Sequence, residues 1–226
     1  MKTLSSIQQK ITAAAKRAGR DPQSVTLVAV SKGQPVDKIR AAYTAGLRAF
    51  GENYARELLE KQFALNTLDI EWHFLGHLQK NKVNKILPVI SWLHSLDSLE
   101  LAEAIQQRAE KPLACLLEIN LAGEKTKTGL SPEAALDLIP KLKELANIDL
   151  RGLMTIPPQD PNPEKSRPYF RKLFLLLKTI NDRYLYPKPL TELSMGMSHD
   201  FEAAIEEGAT IVRIGTAIFG PRTHDS

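Results

Sequence analysis

The residues best suited to chemistry in this chain are a lysine, an arginine and two short loops of small residues. Lys32 follows the apolar run Val25 to Ser31. A lysine amine that is partly desolvated there can fall below its usual pKa of about 10.4 and attack a carbonyl as the free base. The same side chain could instead snorkel from a strand end into solvent. Arg213 interrupts a strand otherwise made of Ile211, Val212 and Ile214. A buried guanidinium needs a partner, either an acceptor nitrogen on a ligand or a carboxylate such as Glu192.

The two loops are Ser194-Met195-Gly196-Met197-Ser198 and Gly215-Thr216-Ala217. Gly196 and Gly215 let backbone N–H groups approach a ligand, and Ser194, Ser198 and Thr216 add hydroxyls. Ser198 stands where it would cap the following helix, a place that favours anions. Such residues also make ordinary tight turns, but two of these loops in succession point to a phosphate cradle. An amine, an anion cradle and an arginine match the aldehyde, phosphate and pyridine nitrogen of one ligand, pyridoxal 5′-phosphate (PLP). Three further stretches belong with them: Gly51-Glu52-Asn53, Trp72-His73-Phe74-Leu75-Gly76 and Gly152-Leu153-Met154-Thr155. Asn53 could bond a ring hydroxyl oxygen, Met197 lies within the cradle loop, and Met154 could pack beneath a ring. His73, between Trp72 and Phe74, reads as an interior histidine. No Ser/His/Asp set and no metal-ligand cluster stands out.

These residues need a scaffold that gathers them. Strand candidates occur at Val25 to Ser31, Leu47 to Phe50, Ile70 to Leu75, Ile90 to Leu96, Leu113 to Asn120, Ile148 to Thr155, Leu190 to Ser194 and Thr210 to Ile214. Helical periodicity fills the gaps, at Val36 to Ala45, Tyr54 to Leu65, Lys80 to Leu87, Ser98 to Ala109, Pro132 to Leu145, Glu164 to Arg183 and Asp200 to Glu206, with Leu4 to Ala18 leading. Strict alternation predicts an α/β protein: one parallel (β/α)8 TIM barrel with an extra N-terminal helix, a single domain over residues 1–226. An open doubly wound sheet would want G-x-G-x-x-G after its first strand, and Ser31-Lys32-Gly33-Gln34-Pro35 lacks it. Barrel active sites lie where strands end, which is where Lys32, Asn53, Thr155, Ser194 and Arg213 fall.

Composition agrees. The 226 residues are 43% hydrophobic and 25% charged, with a net charge of +4 that suits a phosphorylated small molecule better than nucleic acid. Cys115 is the one cysteine, so no internal disulfide forms. The first residues lack a signal-peptide apolar region, and no run reaches the roughly 20 apolar residues of a membrane span. A cytoplasmic protein, a monomer without nucleic acid or membrane partners, is the expectation.

On these motifs the chain resembles the YggS/PROSC family of PLP homeostasis proteins, whose fold is the barrel of the alanine racemase N-terminal domain. The likeness runs from Val25 to Arg222 and is carried by Val28-Ala29-Val30-Ser31-Lys32, Gly51-Glu52-Asn53-Tyr54, Trp72 to Gly76 with Leu78-Gln79-Lys80-Asn81-Lys82, Gly152 to Ile156, Ser194 to Ser198, and Val212 to Gly220. The resemblance implies that Lys32 holds PLP as a Schiff base, Ser194 to Ser198 with Gly215 and Thr216 hold its phosphate, and Arg213 faces the ring nitrogen. It also implies a carrier or buffer of PLP in vitamin B6 and amino-acid homeostasis, without a reaction of its own. Its expected partners are PLP-dependent apoenzymes or a regulatory protein.

Two positions depart from the family pattern, Arg56 for an expected glutamine and His199 at a position often acidic; neither is expected to touch the cradle. An arginine at the ring nitrogen would keep it unprotonated and weaken the electron sink. Only six residues follow Gly220, so no second domain is expected to close the site. A PLP-dependent amino-acid racemase and a Schiff-base aldolase remain as other uses of Lys32. Lys80, Lys82, Lys85, Lys125 and Lys127 form solvated faces or a docking surface for an acidic partner.

Overall fold

A computed structural model describes residues 2–124 and 128–221. Eight parallel strands close into a barrel in sequence order, β1 pairing with both β2 and β8. They are β1 (Thr26–Val30), β2 (Ala49–Glu52), β3 (Glu71–Phe74), β4 (Trp92–Leu96), β5 (Leu113–Glu118), β6 (Ile148–Met154), β7 (Glu192–Ser194) and β8 (Ile211–Ile214). The helices are α1 (Lys2–Arg17), α2 (Val36–Thr44), α3 (Ala55–Ala64), α4 (Val83–Ile86), α5 (Leu99–Gln106), α6 (Pro132–Leu142), α7 (Arg167–Asp182), α8 (Phe201–Glu206) and α9 (Thr216–Phe219). The (β/α)8 barrel with a leading helix therefore stands, with strand ends moved by a residue or two. Lys125 and Lys127 lie outside the described residues, whereas Lys80, Lys82 and Lys85 are exposed.

Local sequence explains the elements. Leu4, Ile7, Ile11, Ala14 and Ala15 recur at helical spacing and bury one face of α1. Its last turn reaches α8 through Arg17, which pairs with Glu202 and Glu206. Ser98 and Ser131 accept N–H bonds from Leu101 and Ala134 and so cap α5 and α6. Most buried apolar residues fill the shell between strands and helices. A second, smaller cluster of Val28, Ala49, Leu116, Met154 and Ile211 fills the barrel interior.

That interior cluster sets which residues face the mouth, because side chains alternate along a strand. Val28 faces inward, so Val30 and Lys32 follow it. Likewise Ala49 predicts Gly51 and Asn53, and Ile211 predicts Arg213 and Gly215. Lys32 itself lies two residues beyond the end of β1, in a turn, not on the strand. The sequence gives no sign of helix α9, because four residues are too few to show a period.

The β6–β7 seam depends on a close approach. Gly152 pairs with Glu192, and a Cβ at Gly152 would stand 1.8 Å from the Glu192 carbonyl oxygen. Gly152→Ala should therefore force the strands apart and cost about 3 kcal/mol or more, read as a lowered midpoint in chemical denaturation; an unchanged midpoint would contradict this register.

Candidate functional site

A cavity of about 250 Å³ opens at the C-terminal mouth of the barrel. Val30, Lys32, Asn53, Met197, Ser198, Arg213, Gly215 and Thr216 line it, so seven of the expected site residues meet there from strands far apart in sequence. Three expected residues do not line it. Met154 is buried in the interior cluster with Val28 and Leu116. Gly196 has φ +90° and packs against α8, where a Cβ would come within 2.5 Å of Ala204 Cβ. Ser194 is fully buried, and its hydroxyl is bonded to Arg213 and His94, away from the cradle loops.

Two further expectations need correction. Ser198 does not cap the next helix, because α8 begins later and Asp200 occupies the cap position. The Ser198 hydroxyl instead accepts the Ala217 N–H at 3.4 Å, tying the loop after β7 to the start of α9. His199, expected away from the cradle, lines the cavity beside Ser198. Arg56 lies in a neighbouring groove and pairs with Glu60.

Lys32 Nζ sits 4.7 Å from the centre of the exposed Tyr54 ring and makes no ion pair among the described residues. Its backbone is held firmly. The buried ammonium of Lys61, on α3, donates to the Ser31 carbonyl at 2.5 Å, to Glu52 Oε1 at 2.6 Å and to Glu57 Oε1 at 2.7 Å. Three N–H bonds thus meet three acceptors. Glu57 Oε1 also accepts the Gly33 N–H at 2.7 Å, and Ser31 Oγ donates to Glu52 Oε1 at 2.6 Å. The residues on both sides of Lys32 are clamped by one ionic cluster. Burial pushes the Glu52 carboxyl above its usual range, opposed by Lys61. None of these partners was foreseen from the sequence, where Glu57 and Lys61 look like an ordinary surface pair one helical turn apart.

Arg213 points the same way into the mouth. Its Nη1 donates to Ser194 Oγ at 2.6 Å and its Nη2 to the Thr155 carbonyl at 2.9 Å, so Glu192 is not its partner. Burial pulls the guanidinium down to about 10, with Asp200 and Glu118 opposing, and it stays charged at neutral pH. The site can hold an anion as well. Among the described residues, the N–H groups of Ser198, Gly215 and Thr216 donate to no protein acceptor. A phosphate ester seated there would meet unpaired donors, and the amine and guanidinium stand on the same wall. These residues fit PLP. Among the described residues, no group of metal-binding side chains is present, and no helix is long and apolar enough to cross a membrane.

A parallel barrel with this mouth defines a protein of the alanine racemase N-terminal type, and the family described as "Alanine racemase, N-terminal domain" matches residues 3–223. Alanine racemase of Clostridium difficile shares the fold, with a TM-score of 0.73 at 16% identity over 96% of this chain and 57% of that one. PipY of Synechococcus elongatus, in a structure with PLP bound, superposes with a TM-score of 0.82 at 37% identity, over 93% of this chain and all of its own. The pyridoxal phosphate homeostasis protein of Aquifex aeolicus is 48% identical over 224 residues, 98% of this chain and 97% of that protein. The chain belongs to the family of pyridoxal phosphate homeostasis proteins.

Two outcomes follow from the buried charges. Lys61→Met should strand Glu52 and Glu57 and cost about 3–5 kcal/mol in urea unfolding, whereas Phe63→Ser, at a side chain 78% exposed, should stay within about 0.5 kcal/mol. His94 is wholly buried, and burial holds its imidazole well below the usual 6.5. The stability this neutral ring contributes is complete above its unfolded value of about 6.5 and is lost as pH falls below it. His94→Gln should therefore flatten the decline in melting temperature between about pH 7 and pH 5; an equally steep decline would contradict a neutral buried ring.

Proposed function

We propose that this protein binds PLP at the barrel mouth and carries or buffers it in the cytoplasm, without catalysing a reaction of its own. The observation that supports this most is that Lys32, Arg213 and three unpaired backbone N–H groups share one small cavity. PLP supplies an aldehyde that bonds a primary amine and a ring nitrogen whose protonation sets its electron-withdrawing power. The chain's residues divide the work. Lys32 Nζ is the amine that would hold the aldehyde carbon, presented by a turn clamped through Ser31 and Gly33. Ser198, Gly215 and Thr216 would receive the phosphate.

Arg213 is a permanent donor, so it would face the ring nitrogen as an acceptor and keep a proton off it. That setting disfavours carbanion chemistry and suits retention. Asn53, which lines the cavity, would meet the ring hydroxyl, and Met154 lies in the interior layer below. His199 adds a titratable ring to the phosphate side. The relatives' name agrees with a role in PLP balance, and PipY has PLP bound. In this reading residues 1–226 act as one domain and as a monomer, with PLP-dependent apoenzymes or a regulatory protein as recipients.

The test is the visible absorption of the protein after incubation with PLP and removal of the excess. Wild type should keep a visible band that borohydride fixes to the Lys32 peptide, and Lys32→Ala should lose it; equal retention by both, or by neither, would overturn the assignment. The PLP-loaded wild type should leave the α-hydrogen of added alanine in place in deuterated water. Turnover with deuterium uptake would make the protein an enzyme instead.

A further inference from the structure

Beneath the cavity, polar side chains line up through an interior that is otherwise apolar. Arg213 Nη1 donates to Ser194 Oγ at 2.6 Å. Ser194 Oγ lies 2.9 Å from His94 Nδ1, and His94 Nε2 lies 2.9 Å from His73 Nδ1. His73 Nε2 then faces Glu71 Oε1 at 3.4 Å without forming a hydrogen bond, and it is left buried with no other hydrogen-bond partner among the described residues. Glu71 opens β3 and also accepts the Trp92 indole N–H at 2.7 Å. The line thus runs from the mouth, at Arg213, to the opposite end of the barrel, where Glu71 is about half exposed.

Its two ends decide its direction. A guanidinium only donates and a carboxylate only accepts. If Arg213 donates to Ser194, the serine proton goes to His94 Nδ1, His94 carries its proton on Nε2 and gives it to His73 Nδ1, and His73 presents Nε2–H to Glu71. Each group between the two ends then accepts once and donates once. The opposite polarity fails at both ends. Arg213 and His94 would both donate to Ser194 Oγ, leaving the serine proton without an acceptor in a fully buried site. His73 would also turn a lone pair toward a carboxylate. Both imidazoles must be neutral for this order, and the burial of His94 keeps it so.

We propose that Glu71, His73, His94 and Ser194 form a one-way hydrogen-bonded relay that positions Arg213, which makes all four positioning residues of the cofactor site. The relay ties down Nη1, and the Thr155 carbonyl holds Nη2, in a guanidinium that lines the mouth. Its dipoles all point from a cation to an anion, so the order lowers the energy of the charged arginine in a site that otherwise penalises it. The effect on bound PLP rests on the function proposed above; the order of the relay does not.

Two measurements separate these. In ligand-free protein, ¹⁵N–¹H correlation spectra at pH 7 should show His73 and His94 both neutral with the proton on Nε2. A proton on Nδ1 of either ring, or a charged ring, would overturn the relay whether or not PLP binds. In PLP-loaded protein, Ser194→Ala should speed loss of the visible band about tenfold or more, and Ser194→Thr, which keeps the hydroxyl, should restore slow loss. Equal rates in wild type and Ser194→Ala would overturn the positioning role. Should Ser194→Ala fail to fold, the wild-type spectra still decide the order. A correct tautomer pattern in a protein that keeps no PLP would leave the relay standing and remove the proposed function.

Discussion

A closed parallel barrel obliges every second strand residue to face inward, and the site descends from that constraint. The interior of β1, β2 and β8 begins with apolar Val28, Ala49 and Ile211. Two and four residues further on, the same parity must deliver Val30 and Lys32, Gly51 and Asn53, Arg213 and Gly215. Apolar packing low in the barrel therefore aims the polar groups above it. A slip of one residue in β8 would turn Arg213 into the helical shell and Val212 into the mouth.

Aim alone does not hold a turn. Lys32 lies beyond its strand, where no ladder fixes the backbone, and the Lys61 ammonium takes over that task by joining the Ser31 carbonyl to Glu52 and Glu57. Buried ions are costly to desolvate, and an apolar cluster of equal volume would serve stability as well or better. What the ions add is direction: an ammonium with three bonds and a carboxylate on the Gly33 N–H permit one geometry of the loop. The Lys32 amine is left outside the network, over Tyr54.

Much of this was legible in the amino-acid order, and the limits have physical reasons. Eight apolar runs alternating with helical periods revealed the barrel, and a lysine and an arginine near strand ends pointed to two of the residues that line its mouth. Lys61 stayed hidden because an i, i+4 pair with Glu57 looks the same on a solvated face as on a buried one. His94 and Ser194 come from β4 and β7, and only closure of the barrel puts them in contact. Ser198 looks like a cap because serine caps well and a helix follows; the helix starts at Phe201, Asp200 takes the cap, and the serine is left to bind Ala217. Local preference was read correctly there, and competition between neighbours was not.

The first and last strands of the barrel are neighbours, so the wall that carries Lys32 meets the wall that carries Arg213 only when β1 and β8 zip together. During synthesis the amine emerges well before the arginine and its glycine loop. Pairing the two ends is among the longest-range contacts in the fold, and such contacts are slow to be rewarded. A growing chain therefore displays a lysine but no cavity, and the mouth is complete only once β1 and β8 have paired. Any ligand held between those two walls would thus certify a finished molecule.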